Sequence, residues 1–178
     1  MTGPLPTALI LAASRGHLDP LAQAAGVTHK CFIPIAGRPM LAWVVEGVAG
    51  SGRVGRILMS IEAEAIAGAR AILRDMGVEE RITFVPSCDN IATSVAAVTQ
   101  AYPDALPLII TTGDNALHTA EMFGFFVDGA LKTKADAALG LTPASFVLDK
   151  YPEGNRAFHR FSDGAYSSCN LYALLTPK

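Results

Sequence analysis

The sequence predicts an α/β protein: a mixed, mostly parallel sheet with helices on both faces, and a smaller β-rich part at the C-terminal end. Three observations carry that expectation. Short, continuous apolar runs recur at residues 8–13, 56–61 and 106–112, as in strands buried on both faces of a parallel sheet. Between them lie segments with apolar residues at helical spacing, so that strand and helix alternate five times over. From Thr142 onward the helical period is lost and turn formers accumulate.

Taken in order, residues 8–13 read as a strand bounded by Pro6 and by Ser14-Arg15-Gly16, followed by a polar loop and a second short strand. Residues 39–50 read as a helix, with Pro39 in its first turn and Leu41, Val44, Val45 and Val48 on one face; Gly50-Ser51-Gly52 ends it. A strand at 56–61 leads to an amphipathic helix at 63–76, closed by Gly77. A short strand at 82–85 stops at Pro86, a helix covers 92–101, and a strand covers 106–112. Thr119 suits the N-cap of a helix over 119–132, and 137–141 reads as a further strand. In the last part, 157–161 and 171–175 read as strands joined by a turn at Ser162-Asp163-Gly164.

At 178 residues, the chain reads as one domain, residues 1–178, with an α/β core at 1–141 and the β-rich part at 142–178. Hydrophobic residues make up 51% and the formal net charge is −2, which argues against a nucleic-acid surface. No apolar run reaches the roughly 18 residues of a membrane helix, and the N-terminus lacks the pattern of a secretory signal. Cys31, Cys88 and Cys169 are odd in number and lack close spacing, so they read as reduced thiols of a cytoplasmic protein. The four histidines are equally dispersed and show no zinc spacing.

The loop after the first strand is the place to look for a ligand, because ligands of open α/β sheets bind at the carboxyl ends of strands. Its small residues let the backbone approach a ligand closely, while Arg15 and Lys30 supply positive charge suited to phosphates. A lone lysine between short strands is otherwise commonly a solvated charge. Asp114 follows the strand at 106–112 through Gly113, so a carboxylate arrives at another strand end. There it could hold Mg²⁺ against phosphates, or serve as a turn or cap residue ahead of the next helix.

LILAASRG, followed by HKCFIPIAGRPML, resembles the N-terminal signature of nucleotidyltransferases of MobA-like, sugar-phosphate and CDP-alcohol type. These carry a LAAGxGxR-like loop, then a lysine shortly before a Gly-(Arg/Lys)-Pro-(Met/Leu) segment. Lys30 falls on that lysine and Gly37-Arg38-Pro39-Met40 on the segment; Ser14 stands where the first loop glycine is usual. The resemblance runs from Thr7 to about Val48, recurs at 89–95 and 113–117, and thins afterwards. It implies a three-layer, Rossmann-like nucleotide-diphospho-sugar transferase fold. It further implies Mg²⁺-dependent transfer of NMP from an NTP to a small phosphorylated acceptor, with release of pyrophosphate.

On that resemblance Leu11, Ala12, Ala13, Ser14, Arg15, Gly16 and Gly113 belong to the nucleotide site. Lys30 and Arg15 act on the phosphates, Lys30 at the α-phosphate and Arg15 at the departing pyrophosphate. Asp114 takes the metal-ligand position. Asn170 resembles the asparagine that completes the metal site at the head of a late strand, and is equally readable as a turn residue. Asp89, Asn90 and Ser94 resemble the base- and ribose-reading segment of cytidylyltransferases, and Asp89 or Asn90 equally suits a helix cap. Arg156 or Arg160 could take an acceptor phosphate, although surface charge explains them too. The resemblance also implies a late acidic motif past the final strand. Here either Asn170 fills that role or the chain is a C-terminally shortened piece. Two other classes remain open on sequence alone: a non-catalytic nucleotide-binding or regulatory domain of the same fold, and an NDP-sugar glycosyltransferase.

Overall fold

A computed structural model describes residues 4–14, 19–154 and 156–177. Strand β1 (Thr7–Leu11) has Ala8, Leu9 and Ile10 fully buried, as a run apolar at every position requires. After it come the short helix α1 (Pro20–Ala24) and a hairpin of two two-residue strands, β2 (Pro34–Ile35) and β3 (Arg38–Pro39). Helix α2 (Met40–Gly50), β4 (Arg56–Ile61), α3 (Ile66–Asp75), β5 (Ile82–Pro86), α4 (Ile91–Ala101) and β6 (Leu108–Thr112) then alternate. The chain continues through α5 (Ala120–Lys132), β7 (Ala137–Pro143) and α6 (Ala144–Lys150), and closes with β8 (His159–Phe161) and β9 (Gly164–Leu174).

The main sheet has the order β5-β4-β1-β6-β9-β7, with β8 paired to β9. The first four strands are parallel, while β9 runs antiparallel between β6 and β7. Strand side chains alternate between faces, and that alternation sorts the core into two layers. Ala8, Ile10, Ile57, Met59 and Ile109 pack under Leu41, Val44 and Val48 of α2, Leu73 of α3, and Phe123 and Val127 of α5. Leu9, Leu58, Leu108 and Ile110 turn to the opposite face, against Val98 of α4. The expected three-layer α/β architecture is therefore present. Among the described residues, no helix is long and apolar enough to cross a membrane.

The differences from the sequence expectation fall where tertiary contacts override local pattern. Helix α1 is capped by Asp19, whose carboxylate accepts from the Leu21 and Ala22 backbone N–H groups. Its single short turn is too brief to show a period. Helix α6 lies inside the stretch read as lacking helix. None of its side chains is buried, so no apolar stripe marks it. The last strand was expected at 171–175 but β9 starts at Gly164, immediately after a two-residue turn closing on Phe161. Its Ser167 and Ser168 look like turn formers, yet pairing with β7 holds them in a strand, and Asn170 falls at the register shift between the partners of Leu139 and Leu141. The β-rich part is therefore built into the main sheet.

Candidate functional site

The carboxyl ends of β1 and β6, the start of α4 and the middle of β9 open onto one cleft of about 910 Å³. Leu11, Ala12, Ala13, Ser14, Lys30, Asn90, Ser94, Gly113, Asp114 and Asn170 all line it. Asp89 is exposed beside that wall and does not line it. Arg15 and Gly16 lie outside the described residues.

Lys30 and Asp114 meet there. The Lys30 Nζ donates to Asp114 Oδ2 at 2.7 Å, and the Thr112 hydroxyl donates to Oδ1 at 2.6 Å. Burial works to raise the Asp114 pKa. The hydrogen bonds from Lys30 and Thr112 and the Lys30 charge outweigh it, so the carboxylate is held below its ordinary range and stays ionised. Gly113 makes this approach possible. A Cβ there would lie 3.1 Å from the Ala12 Cβ and 3.2 Å from the Cys31 Cβ, while its N–H donates to the Leu11 carbonyl at 2.8 Å. Gly113 thus joins β6 to the β1 loop by close packing. Cys31 is buried beneath this junction, and burial together with the Asp114 charge pushes its thiol up to about 12.

A second carboxylate, not anticipated from the sequence, sits at the end of β4. Glu62 Oε1 accepts from the Ser14 backbone N–H at 2.8 Å and from the Ser14 hydroxyl at 3.1 Å. Its Oε2 lies 3.0 Å from His29 Nε2, and His29 Nδ1 lies 2.9 Å from the Thr28 hydroxyl oxygen. Burial works to raise the Glu62 pKa, but hydrogen bonds from backbone N–H groups, from His29 and from the Ser14 hydroxyl hold it below the ordinary value. The available signal was an acidic residue placed directly after an apolar strand, the same arrangement that singled out Asp114.

The other residues resolve into supporting parts. Asn90 caps α4: it accepts from the Thr93 N–H at 3.0 Å, with Thr93 bonding back to the Asn90 N–H in a reciprocal box. The Ser94 hydroxyl is buried and accepts from the Cys88 N–H at 2.9 Å, which shapes the loop forming the cleft wall. Asn170 has φ +52°, in the left-handed region that asparagine tolerates better than most residues. It lies at an irregularity where Leu139 faces Tyr172 but Leu141 faces Ser168, so β9 bulges toward the cleft at Asn170. The Arg38 of the Gly-Arg-Pro-Met segment points elsewhere, paired with Glu46 at 2.7 Å and stacked 4.3 Å over Trp43. Arg156 binds the Ser167 hydroxyl and the Ser168 carbonyl of β9, and neither it nor Arg160 lines the cleft. His118 is half-buried; its Nδ1 has no hydrogen-bond partner, and burial holds its pKa low.

Asp114 and Asn170 both line the cleft and offer a carboxylate and an amide oxygen, ligands of the kind hard cations take. Among the described residues, no group of three or more His, Cys, Asp or Glu could form a full cage. Mg²⁺ sites commonly lack such a cage, keeping several waters and taking only one or two protein carboxylates.

These features coincide with a family. The MobA-like NTP transferase domain model matches residues 8–146. A 2-C-methyl-D-erythritol 4-phosphate cytidylyltransferase from Nocardia farcinica is 30% identical over 142 residues, covering 80% of this chain and 56% of that protein. The chain thus spans little more than half the length of this curated relative. Among solved structures, a hypothetical transferase from Thermus thermophilus superposes with a TM-score of 0.69 at 23% identity, over 96% of this chain and 65% of the other. A 4-diphosphocytidyl-2C-methyl-D-erythritol synthase from Anaerococcus prevotii gives 0.68 at 17% identity, over 96% and 70%. At those identities the two structures speak for the fold, and the domain match is what decides the family. The chain belongs to the MobA-like NTP transferase domain family.

Proposed function

We propose that the chain is a nucleotidyltransferase domain that moves CMP from CTP to a small phosphorylated acceptor and releases pyrophosphate. The observation that carries this reading is the meeting of Lys30 and Asp114, 2.7 Å apart, in a cleft floored by the small residues of the β1 loop. CTP as donor is supported by the Nocardia farcinica relative, a named cytidylyltransferase, and so is a phosphorylated polyol as acceptor. In this reading the core at 1–141 takes the nucleotide and the part at 142–178 faces the acceptor. The cytoplasm, which holds NTPs, is its compartment; Cys31, Cys88 and Cys169 are free thiols there.

The chemistry is an in-line displacement. An acceptor phosphate oxygen forms a bond to the α-phosphorus while the bond to the bridging oxygen of the β-phosphate breaks, and pyrophosphate leaves with that electron pair. The attacking oxygen is already anionic, so no side chain has to remove a proton. Negative charge grows on the non-bridging α-phosphate oxygens, and the Lys30 ammonium is placed to bind it. Arg15, assigned from the loop motif, meets the leaving pyrophosphate. Asp114 and Asn170 would hold Mg²⁺, which when bound shields the charge of the phosphates. Ala12 and Ala13 leave room for the base, and Asn90 and Ser94 fix the wall beside it.

Pyrophosphate release tests the reading. With Mg²⁺, CTP and a panel of polyol and sugar phosphates, release above the no-acceptor background is expected for at least one acceptor, with CTP preferred over ATP, GTP and UTP. Nucleotide binding without release for any acceptor would make the chain a binding domain. Transfer from an NDP-sugar instead would make it a glycosyltransferase.

A further inference from the structure

We infer that Glu62 is a positioning residue of the nucleotide site, a carboxylate that ties the start of the phosphate loop to the segment presenting Lys30. The inference rests on the proposed nucleotidyltransferase reading. Glu62 belongs to neither half of the signature, yet it bonds to both: Oε1 takes the amide and hydroxyl of Ser14, and Oε2 takes His29, the residue before Lys30. Ser14 and His29 lie on separate stretches of the chain, and Glu62 stands just past a different strand, β4. Glu62 therefore braces the start of the loop against the residue before the lysine, beside the Cys31 thiol that reaches the Ala12 carbonyl.

The hydrogen-bond inventory makes this bridge directional. An ionised carboxylate only accepts, so His29 Nε2 carries the proton it donates to Glu62. Nδ1 is then satisfied by the Thr28 hydroxyl, which can donate or accept. His29 is 5% exposed and its ring lies 5.2 Å from Phe32, itself packed on Gly68 of α3, so the imidazole is held from behind by the helix layer. Ser14 also gains a reason here. The glycine usual at that place in the resembling loops could keep the amide bond to Glu62 but not the hydroxyl bond at 3.1 Å. Because the Ser14 N–H is taken by Glu62, phosphate contacts fall to other groups of the site, whose placement the clamp sets.

Calorimetric titration of CTP with Mg²⁺, with no acceptor present, separates a positioning role from a merely structural one. Glu62→Ala in the folded protein is expected to weaken CTP binding roughly 10- to 100-fold, the scale of losing charge-assisted hydrogen bonds to partly buried groups. Glu62→Gln is expected to recover most of that loss. Its amide oxygen still accepts from Ser14, and its NH₂ can donate to His29 once the ring proton moves to Nδ1. Glu62→Ala that melts at lower temperature yet binds CTP like wild type would overturn the inference, as would Glu62→Gln as impaired as Glu62→Ala. Should Glu62→Ala not fold, hydrogen exchange of wild type decides. A Ser14 amide protected like the β1 amides without nucleotide supports the clamp, and one exchanging like an open peptide refutes it. Failure of wild type to bind any nucleotide would instead remove the nucleotidyltransferase reading, and this inference with it.

Discussion

Asp114 and Lys30 hold each other at 2.7 Å, and in the proposed reaction nucleotide has to loosen that pair so that the ammonium reaches phosphate and the carboxylate a cation. Their side chains are 28% and 40% exposed, so the ion pair itself contributes little to stability, on the order of 1 kcal/mol or less. Its cost on removal should therefore appear in catalysis. Lys30→Met is expected to lower kcat about 10²- to 10³-fold, the usual loss of one group that binds developing oxyanion charge, while the melting temperature moves little. Steady-state pyrophosphate release beside a thermal melt checks both halves. The residue scale is also where the sequence was most and least informative. Lys30 stood out through its place after the first loop and before the Gly-Arg-Pro-Met segment, and Asp114 as a carboxylate delivered at a strand end. Glu62 stayed hidden because one acidic residue after a strand has no partner visible in sequence, and Ser14 and His29 become its partners only in space. Asn90 and Ser94 were legible as cap or ligand residues, and hydrogen bonding shows both engaged with the protein's own backbone.

At the scale of elements, two glycines make opposite use of a missing Cβ. Gly37 and Ala36 form the β2–β3 turn with φ +78° and +50°, and nothing lies within 4 Å of a Cβ built at Gly37. Gly37→Ala is therefore expected to cost only the backbone penalty, about 1 kcal/mol. Gly47 sits inside α2, where alanine would ordinarily be favoured by roughly 1 kcal/mol. A Cβ there runs into the His118 backbone carbonyl, which cannot step aside without shifting the loop after Asp114. Gly47→Ala should cost about 2–3 kcal/mol despite its better propensity, because overlap with backbone outweighs the helix gain. Urea denaturation midpoints rank the two variants, and the reverse order would refute this packing account. The parallel strands and their helices were readable because apolar runs and helical periods survive in sequence. Helix α6 and most of β9 were not: one buries nothing, and the other is kept extended by neighbours on both sides.

For the whole molecule, the perturbed groups set the range of pH over which the fold is stable. Glu62 and Asp114 have folded pKa values below their ordinary ones. Each therefore adds stability that is fully present above the ordinary carboxylate pKa of about 4, and is lost as pH falls through the lowered folded value. Cys31 acts at the other end. Its thiol ordinarily ionises near 9.0 and is pushed up to about 12, so above 9.0 the unfolded chain loses a proton that the fold retains. Stability should begin to decline as pH falls below 6.5, where the unfolded chain protonates His118 and the fold resists it, fall further below about 4, and fall again at alkaline pH, with Cys31→Ala flattening the alkaline limb. Melting temperatures across pH read this directly. The sheet order itself was beyond the sequence, since a run of alternating elements does not say that β9 enters antiparallel between β6 and β7.

The proposed function requires the cleft to bind a nucleotide with its metal through Asp114. Calorimetric titration of CTP into wild type and Asp114→Ala, with and without Mg²⁺, tests it most directly. Mg²⁺ is expected to tighten CTP binding to wild type, and Asp114→Ala to lose about tenfold or more of affinity with Mg²⁺ but little without it. Equal loss in both conditions, or none in either, would contradict it.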